Sequence, residues 1–234
     1  MDKNVPLCVG VIADGNRRWA REQGLPGFVG HKYGYEKFKE MALWAKEAGI
    51  KYVIIYAFST ENWGRSEHEI GRLLTLFRHA LSPKETVFFR KEGIRISVIG
   101  ERERLPQDIQ EGICSAERES ADFSELHFIF AISYGGRSEI LSSAKDIVRE
   151  KGAEGMLSMT EDGFEKFLWT GRIHVPDPDI IIRTGKQRRT SNFLLWQAAY
   201  SELYFSDAYW PEFSKEEFKT ILGDYSERKR NFGK

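Results

Sequence analysis

The chain has 234 residues, of which 41% are hydrophobic and 30% charged, so we expect one domain over residues 1–234 with a sizeable core. Lysine plus arginine and aspartate plus glutamate both number 35, and this zero net charge argues against a general nucleic-acid binder, which usually carries a basic excess. No secretory signal, membrane-length apolar run or cysteine framework is apparent, so a cytoplasmic protein is expected.

Six short apolar runs, rich in β-branched and aromatic residues, predict buried strands over 7–13, 52–58, 94–99, 126–132, 180–182 and 203–205. Between them, apolar residues three and four apart predict helices over 31–48, 69–91, 106–119, 138–151 and 214–230. Pro83 should bend or break the second helix. The alternation predicts an α/β fold, with a central, mostly parallel six-stranded sheet flanked by helices.

The first predicted strand stops abruptly at Asp14, and Gly15, Asn16, Arg17 and Arg18 follow at once. In open parallel sheets, ligands bind beyond the carboxyl ends of the strands. A carboxylate beside two guanidinium groups suits a diphosphate with Mg²⁺, because the hard cation takes carboxylate oxygen and arginine takes phosphate oxygen. The alternative is a strand-end aspartate that caps the next segment, with both arginines on a solvated face. This stretch alone does not choose between them.

Two further predicted strands also end in polar loops. Residues 59–65 read STENWGR, and residues 183–192 read RTGKQRRTSN, with four cations within seven residues. A helix is expected to begin near Ser191 or Asn192, where its free amides would favour an anion. A charge run is usually a solvated face, but three strand ends of this kind together favour a shared anion-binding site.

Seven ordered stretches are spread along nearly the whole chain: ADGNRRWA (13–20), GHKYG (30–34), YAFSTENWGR (56–65), SYGGR (133–137), IRTG (182–185), RTSNFLLWQAAYSELYF (189–205) and WPEF (210–213). In these stretches the chain resembles the cis-prenyltransferase family, typified by undecaprenyl diphosphate synthase. The resemblance implies a homodimer with a parallel sheet and a hydrophobic tunnel. It also implies an enzyme that joins an allylic diphosphate to isopentenyl diphosphate, with Mg²⁺ as cofactor, and makes a new cis double bond.

The resemblance assigns roles to individual residues. Asp14 is the central acid at Mg²⁺ and diphosphate, and Asn62 lies close to the reacting carbons. Glu202 helps to bind Mg²⁺, in this family from the dimer partner. The allylic diphosphate pocket is lined by Gly15, Asn16, Arg17, Arg18 and His31, and the second diphosphate is held by Arg183, Arg189 and Ser191. The remaining expected substrate-binding residues are Trp19, Phe58, Ser59, Trp63 and Arg65.

Three places depart from the family pattern. Gly27 stands where the family usually has an arginine that grips the allylic diphosphate. Lys186 and Gln187 replace a glycine and a glutamate, and Asn231 replaces an arginine expected to contact the dimer partner. These changes keep alternatives open: irregular, non-head-to-tail coupling, a weakly active or regulatory subunit, or a non-catalytic prenyl-diphosphate binder. The apolar face of 70–89 is expected to form a tunnel wall, the alternative being peripheral contact with a membrane where a lipid product leaves.

Overall fold

The computed structural model describes residues 5–228, and its centre is a six-stranded sheet in which all paired neighbours run parallel. The strand order across the sheet is β3-β4-β2-β1-β5-β6. The predicted α/β class and the six predicted strands are confirmed, with ends that shift by two residues at most. The strands are β1 (Cys8–Ile12), β2 (Tyr52–Ser59), β3 (Ile94–Ile99), β4 (Leu126–Tyr134), β5 (Ile180–Arg183) and β6 (Glu202–Phe205).

Nine α-helices occur in the described chain: α1 (Asn16–Glu22), α2 (Gly27–Ala48), α3 (Glu67–Ala80), α4 (Pro83–Lys91), α5 (Gln107–Glu119), α6 (Gly136–Leu157), α7 (Glu161–Glu165), α8 (Trp169–Arg172) and α9 (Lys215–Glu227). The break predicted at Pro83 is confirmed, because this residue begins α4, where proline fits the first turn. Residues 229–230 of the last predicted helix, and Asn231, lie outside the described residues. None of the helices within 5–228 combines the length and apolar character needed to cross a membrane.

The central strand β1 shows how the core is arranged. All five of its residues are buried, as expected for a strand inside a parallel sheet. Val9 and Val11 pack into the cluster formed with α2 and α9, whereas Cys8 and Ile12 pack on the other face. Both faces of β1 are therefore buried in the core, and polar groups can be presented only at its carboxyl end.

The prediction that a helix begins near Ser191 or Asn192 is wrong. Residues 191–200 form consecutive turns. Ser191, Asn192 and Leu194 have positive φ values of 50°, 68° and 47°, which a right-handed helix does not accommodate. Phe193 is fully buried and stacks on Tyr56, with ring centroids 4.7 Å apart, so tertiary packing sets the conformation of this stretch. An anion bound here meets side chains rather than a helix terminus.

Candidate active site

Three strand ends meet at one edge of the sheet. Ile12 at the end of β1 pairs with Tyr56 of β2 on one side and with Arg183 of β5 on the other. A cavity of about 770 Å³ opens at this edge. Most of the predicted site residues line it: Asp14, Gly15, Asn16, Arg17, Arg18, His31, Phe58, Ser59, Asn62, Arg65, Arg183, Arg189 and Ser191. The sequence prediction that separate loops share one site agrees with this geometry.

The Asp14 carboxylate is held between two arginines. Its Oδ1 accepts a hydrogen bond from Arg18 at 3.0 Å, and its Oδ2 accepts one from Arg183 at 2.8 Å. The Asp14 main chain exchanges two hydrogen bonds with the buried Thr184 hydroxyl, at 3.0 and 2.8 Å. Sequence reasoning missed Thr184, although its place directly after Arg183 in the IRTG motif was a signal. The carboxylate is thus fixed at both ends, with both of its oxygens facing cations.

Arg183 joins this carboxylate to the loop that follows β5. The residue is 4% exposed, and its Nη1 donates to the Arg189 carbonyl at 2.5 Å and to Ser191 Oγ at 2.6 Å. Its buried Nε has no hydrogen-bond partner among the described residues. One buried cation therefore sets the distance between Asp14 and Ser191.

The two substituted loop residues lie beside the second predicted diphosphate site. Arg189 donates from Nε to Ser191 Oγ at 3.2 Å and from Nη1 to Gln187 Oε1 at 2.7 Å. Lys186 has a left-handed backbone, with φ 61°, and its Nζ lies 5.0 Å from the centre of the Tyr209 ring. Because the residue that accepts from Arg189 is a neutral amide, no carboxylate pairs with Arg189 in the described chain. The loop keeps its positive charge available to an anion.

A second group of cations surrounds His31. Burial, followed by the charges of Arg65 and Arg17, lowers the pKa of His31 to about 4. Burial and the neighbouring Arg17 also lower the pKa of Arg65 from its ordinary value. Arg17 pairs with Glu69 at 2.8 Å, which offsets part of this charge. A site with several cations and one adjacent acid attracts an anion, and the imidazole stays neutral beside it.

We expect the pKa of His31 to be about 4 in the folded protein, below the value of about 6.5 in an unfolded chain. The unfolded state therefore binds the proton first, and the free energy of unfolding falls as pH falls from about 6.5 to 4. Titration of the imidazole C–H resonances, assigned with His31→Gln, measures the pKa. His31→Gln should also remove part of this pH dependence, whereas a midpoint near 6.5 would show that the ring is solvated.

Close approach of α1 to α2 positions the Asn16 side chain. A Cβ atom on Gly30 would lie 1.9 Å from the Asn16 carbonyl oxygen, and one on Gly34 would lie 2.2 Å from Asn16 Oδ1. Asn16 Nδ2 donates to the Ala13 carbonyl at 3.2 Å, and its buried Oδ1 has no partner within the described residues. Glycine at both positions lets α1 rest on α2. In contrast, Gly27 has room for a side chain, since its nearest contact would be 3.6 Å away.

The inner part of the cavity is apolar. Asn62 Oδ1 accepts from the Ser59 amide at 3.1 Å, which fixes the turn after β2. The Phe58 ring then packs against Trp63 and Phe77, with centroids 5.1 and 5.8 Å away. Trp63 donates to Ser133 Oγ at 2.8 Å and supports this wall from behind. The ring of Trp19 packs on that of Tyr33, with centroids 4.7 Å apart. Trp19 and Trp63, both expected to bind substrate, are not among the residues that line the cavity.

Glu202 lies away from this group. It pairs with Ile180 at the start of β5 and β6, whereas Arg183, next to Asp14, pairs with Phe205 at the end of these strands. The Glu202 carboxylate accepts from Tyr204 Oη at 3.0 Å and pairs with Arg228 at 3.2 Å. Within residues 5–228, no cluster of three or more histidine, cysteine or acidic residues could hold a metal ion. Joint binding of Mg²⁺ by Asp14 and Glu202 stays a prediction that requires a second chain.

Comparisons with known proteins identify the family of this chain. A sequence model described as "Putative undecaprenyl diphosphate synthase" matches residues 12–233. The chain belongs to this family of cis-prenyltransferases. It is 43% identical to a geranylgeranyl-diphosphate-specific tritrans,polycis-undecaprenyl-diphosphate synthase of Pyrococcus furiosus, covering 98% of this chain and 88% of that one. An isoprenyl transferase of Thermotoga maritima is 40% identical, covering 98% of this chain and 97% of the relative.

A solved family structure has the same fold over its full length. The lavandulyl diphosphate synthase of Lavandula x intermedia, in complex with dimethylallyl diphosphate, superimposes with a TM-score of 0.93 at 34% identity. The match covers 100% of both chains. Members with different named products thus share this one architecture, so the fold alone does not choose the product.

Proposed function

We propose that this prenyltransferase joins an allylic prenyl diphosphate to isopentenyl diphosphate, releasing diphosphate and forming a Z-polyprenyl diphosphate. The observation that carries the proposal is the position of Arg183, which contacts Asp14 on one side and Ser191 on the other. Two anion-binding loops therefore meet at the mouth of one cavity. The names of the relatives support the same reaction class.

The leaving group is the first chemical requirement. Cleavage of the allylic carbon–oxygen bond places additional negative charge on diphosphate, and Arg17, Arg18 and Arg65 line the cavity where this charge develops. His31, neutral at physiological pH, can donate one N–H to a phosphate oxygen without adding charge to the crowded cations. The site thus stabilises the product of bond cleavage more than the intact substrate.

The allylic carbocation must be kept from water. Phe58 and Phe77 are nearly fully buried and line the same cavity as Asn62, so they would exclude solvent from the reacting carbons. The second substrate, held by Arg189 and Ser191, then presents its double bond to the cation. Loss of a proton to the released diphosphate or through Asn62 completes the reaction.

Asp14 fits a magnesium site of the type completed by substrate. Mg²⁺ is commonly held by one or two carboxylates together with substrate phosphates, and Asp14 supplies one fixed carboxylate beside the diphosphate pocket. The ion would neutralise part of the diphosphate charge. Asp14 orients that interaction, and Arg18 and Arg183 keep the carboxylate in place.

The growing chain needs an apolar space, and we propose that the predicted tunnel lies between α2, α3 and the sheet. Phe38, Leu73 and Leu76 line the inner cavity. A second cavity, of about 790 Å³, lies between α2 and α3 and also includes Leu73 and Leu76. Leu73 and Phe77 face inward, and this placement favours a tunnel wall over membrane contact for this helix face.

We further propose that the chain forms a homodimer along β6. This strand is at the edge of the sheet, and its Leu203 and Phe205 side chains are 45% and 38% exposed. Tyr200, just before it, is 87% exposed. Exposed apolar side chains at an open strand edge are typical of a covered interface. Glu202 lies on the same strand, so dimerisation would place it at the interface.

Irregular coupling of two allylic diphosphates is a second candidate. The observation that favours it is the substituted loop at Lys186 and Gln187, which gives the second site an altered charge. A lavandulyl diphosphate synthase in complex with dimethylallyl diphosphate has the same fold, so the fold itself is compatible with more than one diphosphate product.

A product assay distinguishes these functions. We expect labelled isopentenyl diphosphate, Mg²⁺ and an allylic diphosphate to yield linear Z products after dephosphorylation. Branched products formed without isopentenyl diphosphate would instead support irregular coupling. In that case the double variant Lys186→Gly/Gln187→Glu, which restores the family residues, should shift the products toward linear chains. No product from any substrate pair would contradict both and leave a non-catalytic binder.

A further inference from the structure

A fully buried carboxylate lies beneath the second diphosphate site. Glu139, in the first turn of α6, is 0% exposed. Its Oε2 accepts hydrogen bonds from Tyr134 Oη, at a short distance, and from Gln197 Nε2 at 3.1 Å. Its Oε1 accepts from the Trp169 amide at 2.9 Å. Three donors from three separate segments therefore converge on one side chain.

The surroundings of the Glu139 carboxylate contain hydrogen-bond donors that need an acceptor, but no positive charge. No cation among the described residues pairs with Glu139, so neutral donors alone compensate its burial. Burial raises the pKa of Glu139. Gln197 Nε2 also donates to Thr170 Oγ1 at 2.9 Å, whereas Gln197 Oε1 has no partner within the described chain. The Glu139→Gln substitution would turn a side-chain N–H toward at least one of these donors, and that buried donor would lose its hydrogen-bond acceptor.

The network reaches the diphosphate loop by two routes. Gln197 belongs to the turn stretch 191–200, whose few backbone hydrogen bonds, such as the one from the Ala198 amide to the Leu194 carbonyl at 2.8 Å, do not form a continuous helix. Side-chain contacts therefore help to hold this stretch in place. Tyr134 packs against Phe193, with centroids 6.0 Å apart, and Tyr56 Oη lies 3.2 and 3.4 Å from the Tyr134 and Ser191 carbonyl oxygens. Both routes end at the segment that presents the Ser191 hydroxyl.

The start of α6 holds the same loop directly. The Gly136 amide donates to the Asn192 carbonyl at 2.7 Å, and the Arg137 amide donates to Asn192 Oδ1 at 2.9 Å. Glu139 lies in the same first turn of this helix, where its hydrogen bonds with Tyr134 and the Trp169 amide hold α6 to β4 and α8. A shift of this helix end would therefore move Asn192 and, with it, Ser191.

We propose that Glu139 is a positioning residue that sets the left-handed Ser191–Asn192 turn and thereby the affinity for the second diphosphate substrate. The residue acts through Gln197, Tyr134 and the start of α6, without contacting substrate. This inference rests on the proposed function for the identity of the second substrate. It predicts an effect confined to that substrate, because the allylic pocket is built on α1 and α2.

The test compares Glu139→Gln with the exchanged double variant Glu139→Gln/Gln197→Glu. The single variant should raise the KM for isopentenyl diphosphate about tenfold, with kcat and the allylic KM within about twofold. The double variant restores one acceptor opposite one amide, so it should return KM to within about threefold of wild type. Glu117→Gln serves as the control. It removes a carboxylate on α5 that accepts hydrogen bonds from the Val98 amide and from Arg102, and it should leave KM unchanged.

Calorimetric binding of inorganic diphosphate provides a readout without turnover and should show the same order of affinities. If wild type turns over but Glu139→Gln keeps a normal KM, the inference is wrong. Equal loss of kcat and both KM values, without recovery in the double variant, would show a general structural role and also contradict it. If wild type makes no product, the proposed function fails instead, and the diphosphate affinities still decide the role of Glu139.

Discussion

Asp14→Asn is expected to lower kcat by about 10²–10³-fold while the protein remains folded. Asparagine keeps the shape but removes the charge that Arg18 and Arg183 share and that a substrate-bound Mg²⁺ would meet. Stopped assays under saturating Mg²⁺ and both substrates measure kcat. Circular dichroism and the thermal midpoint check the fold. Asp14→Ala should be at least as inactive.

The matched control for this prediction is Asp108→Asn. Asp108 also pairs with an arginine, Arg78, but on the exposed surface of α3 and α5. Loss of the Asp108 charge should leave kcat unchanged, because water already solvates both Asp108 and Arg78. If Asp14→Asn retained wild-type kcat, the assignment of the catalytic centre to the end of β1 would be wrong.

Gly30→Ala is expected to lower the free energy of unfolding by about 3 kcal/mol. The added Cβ would lie 1.9 Å from the Asn16 carbonyl oxygen and 3.1 Å from Ala20 Cβ, so α1 must move away from α2. Because α1 carries Arg17 and Arg18, affinity for the allylic diphosphate should fall with stability. Urea denaturation and direct ligand binding measure the two effects.

Gly71→Ala provides the opposite result on a neighbouring helix. Gly71 lies inside α3, and an added Cβ would meet nothing within 4 Å. Alanine in an exposed helix interior is favoured over glycine, so this variant should stabilise the protein by about 0.5–1 kcal/mol. Equal destabilisation by both substitutions would contradict the close packing of α1 on α2.

Much of the fold could be predicted because a buried strand is encoded in a short, continuous run of apolar residues. Each apolar run was long enough to mark a strand, and Pro83 marked the helix break. The error at residues 191–200 has a tertiary cause: Phe193 stacks on Tyr56, a residue distant in sequence, and imposes positive φ values that no local pattern encodes. The predicted helix over 138–151 ends where α6 has a kink, at Gly152 with φ 74°, but the continuation of α6 to Leu157 was not predicted.

The site was predictable where its residues follow strands. Asp14 and Arg183 come directly after apolar runs, so parallel topology alone brings them together. Thr184 and Glu139 were missed because their importance lies in hydrogen bonds that only the folded chain forms. Glu202 begins a strand instead of following one, so no strand-end argument could have found it.

Arg183 connects the two proposed substrate pockets directly. A single guanidinium fixes Asp14 and Ser191, so any occupant that draws it toward one pocket changes the other. Thermodynamic linkage then requires reciprocal effects: whatever factor the first substrate applies to the affinity of the second, the second applies to the first. Evolution of a new preference for the second substrate in the 183–192 loop is therefore constrained, because a change there that moves Arg183 also alters recognition of the allylic diphosphate.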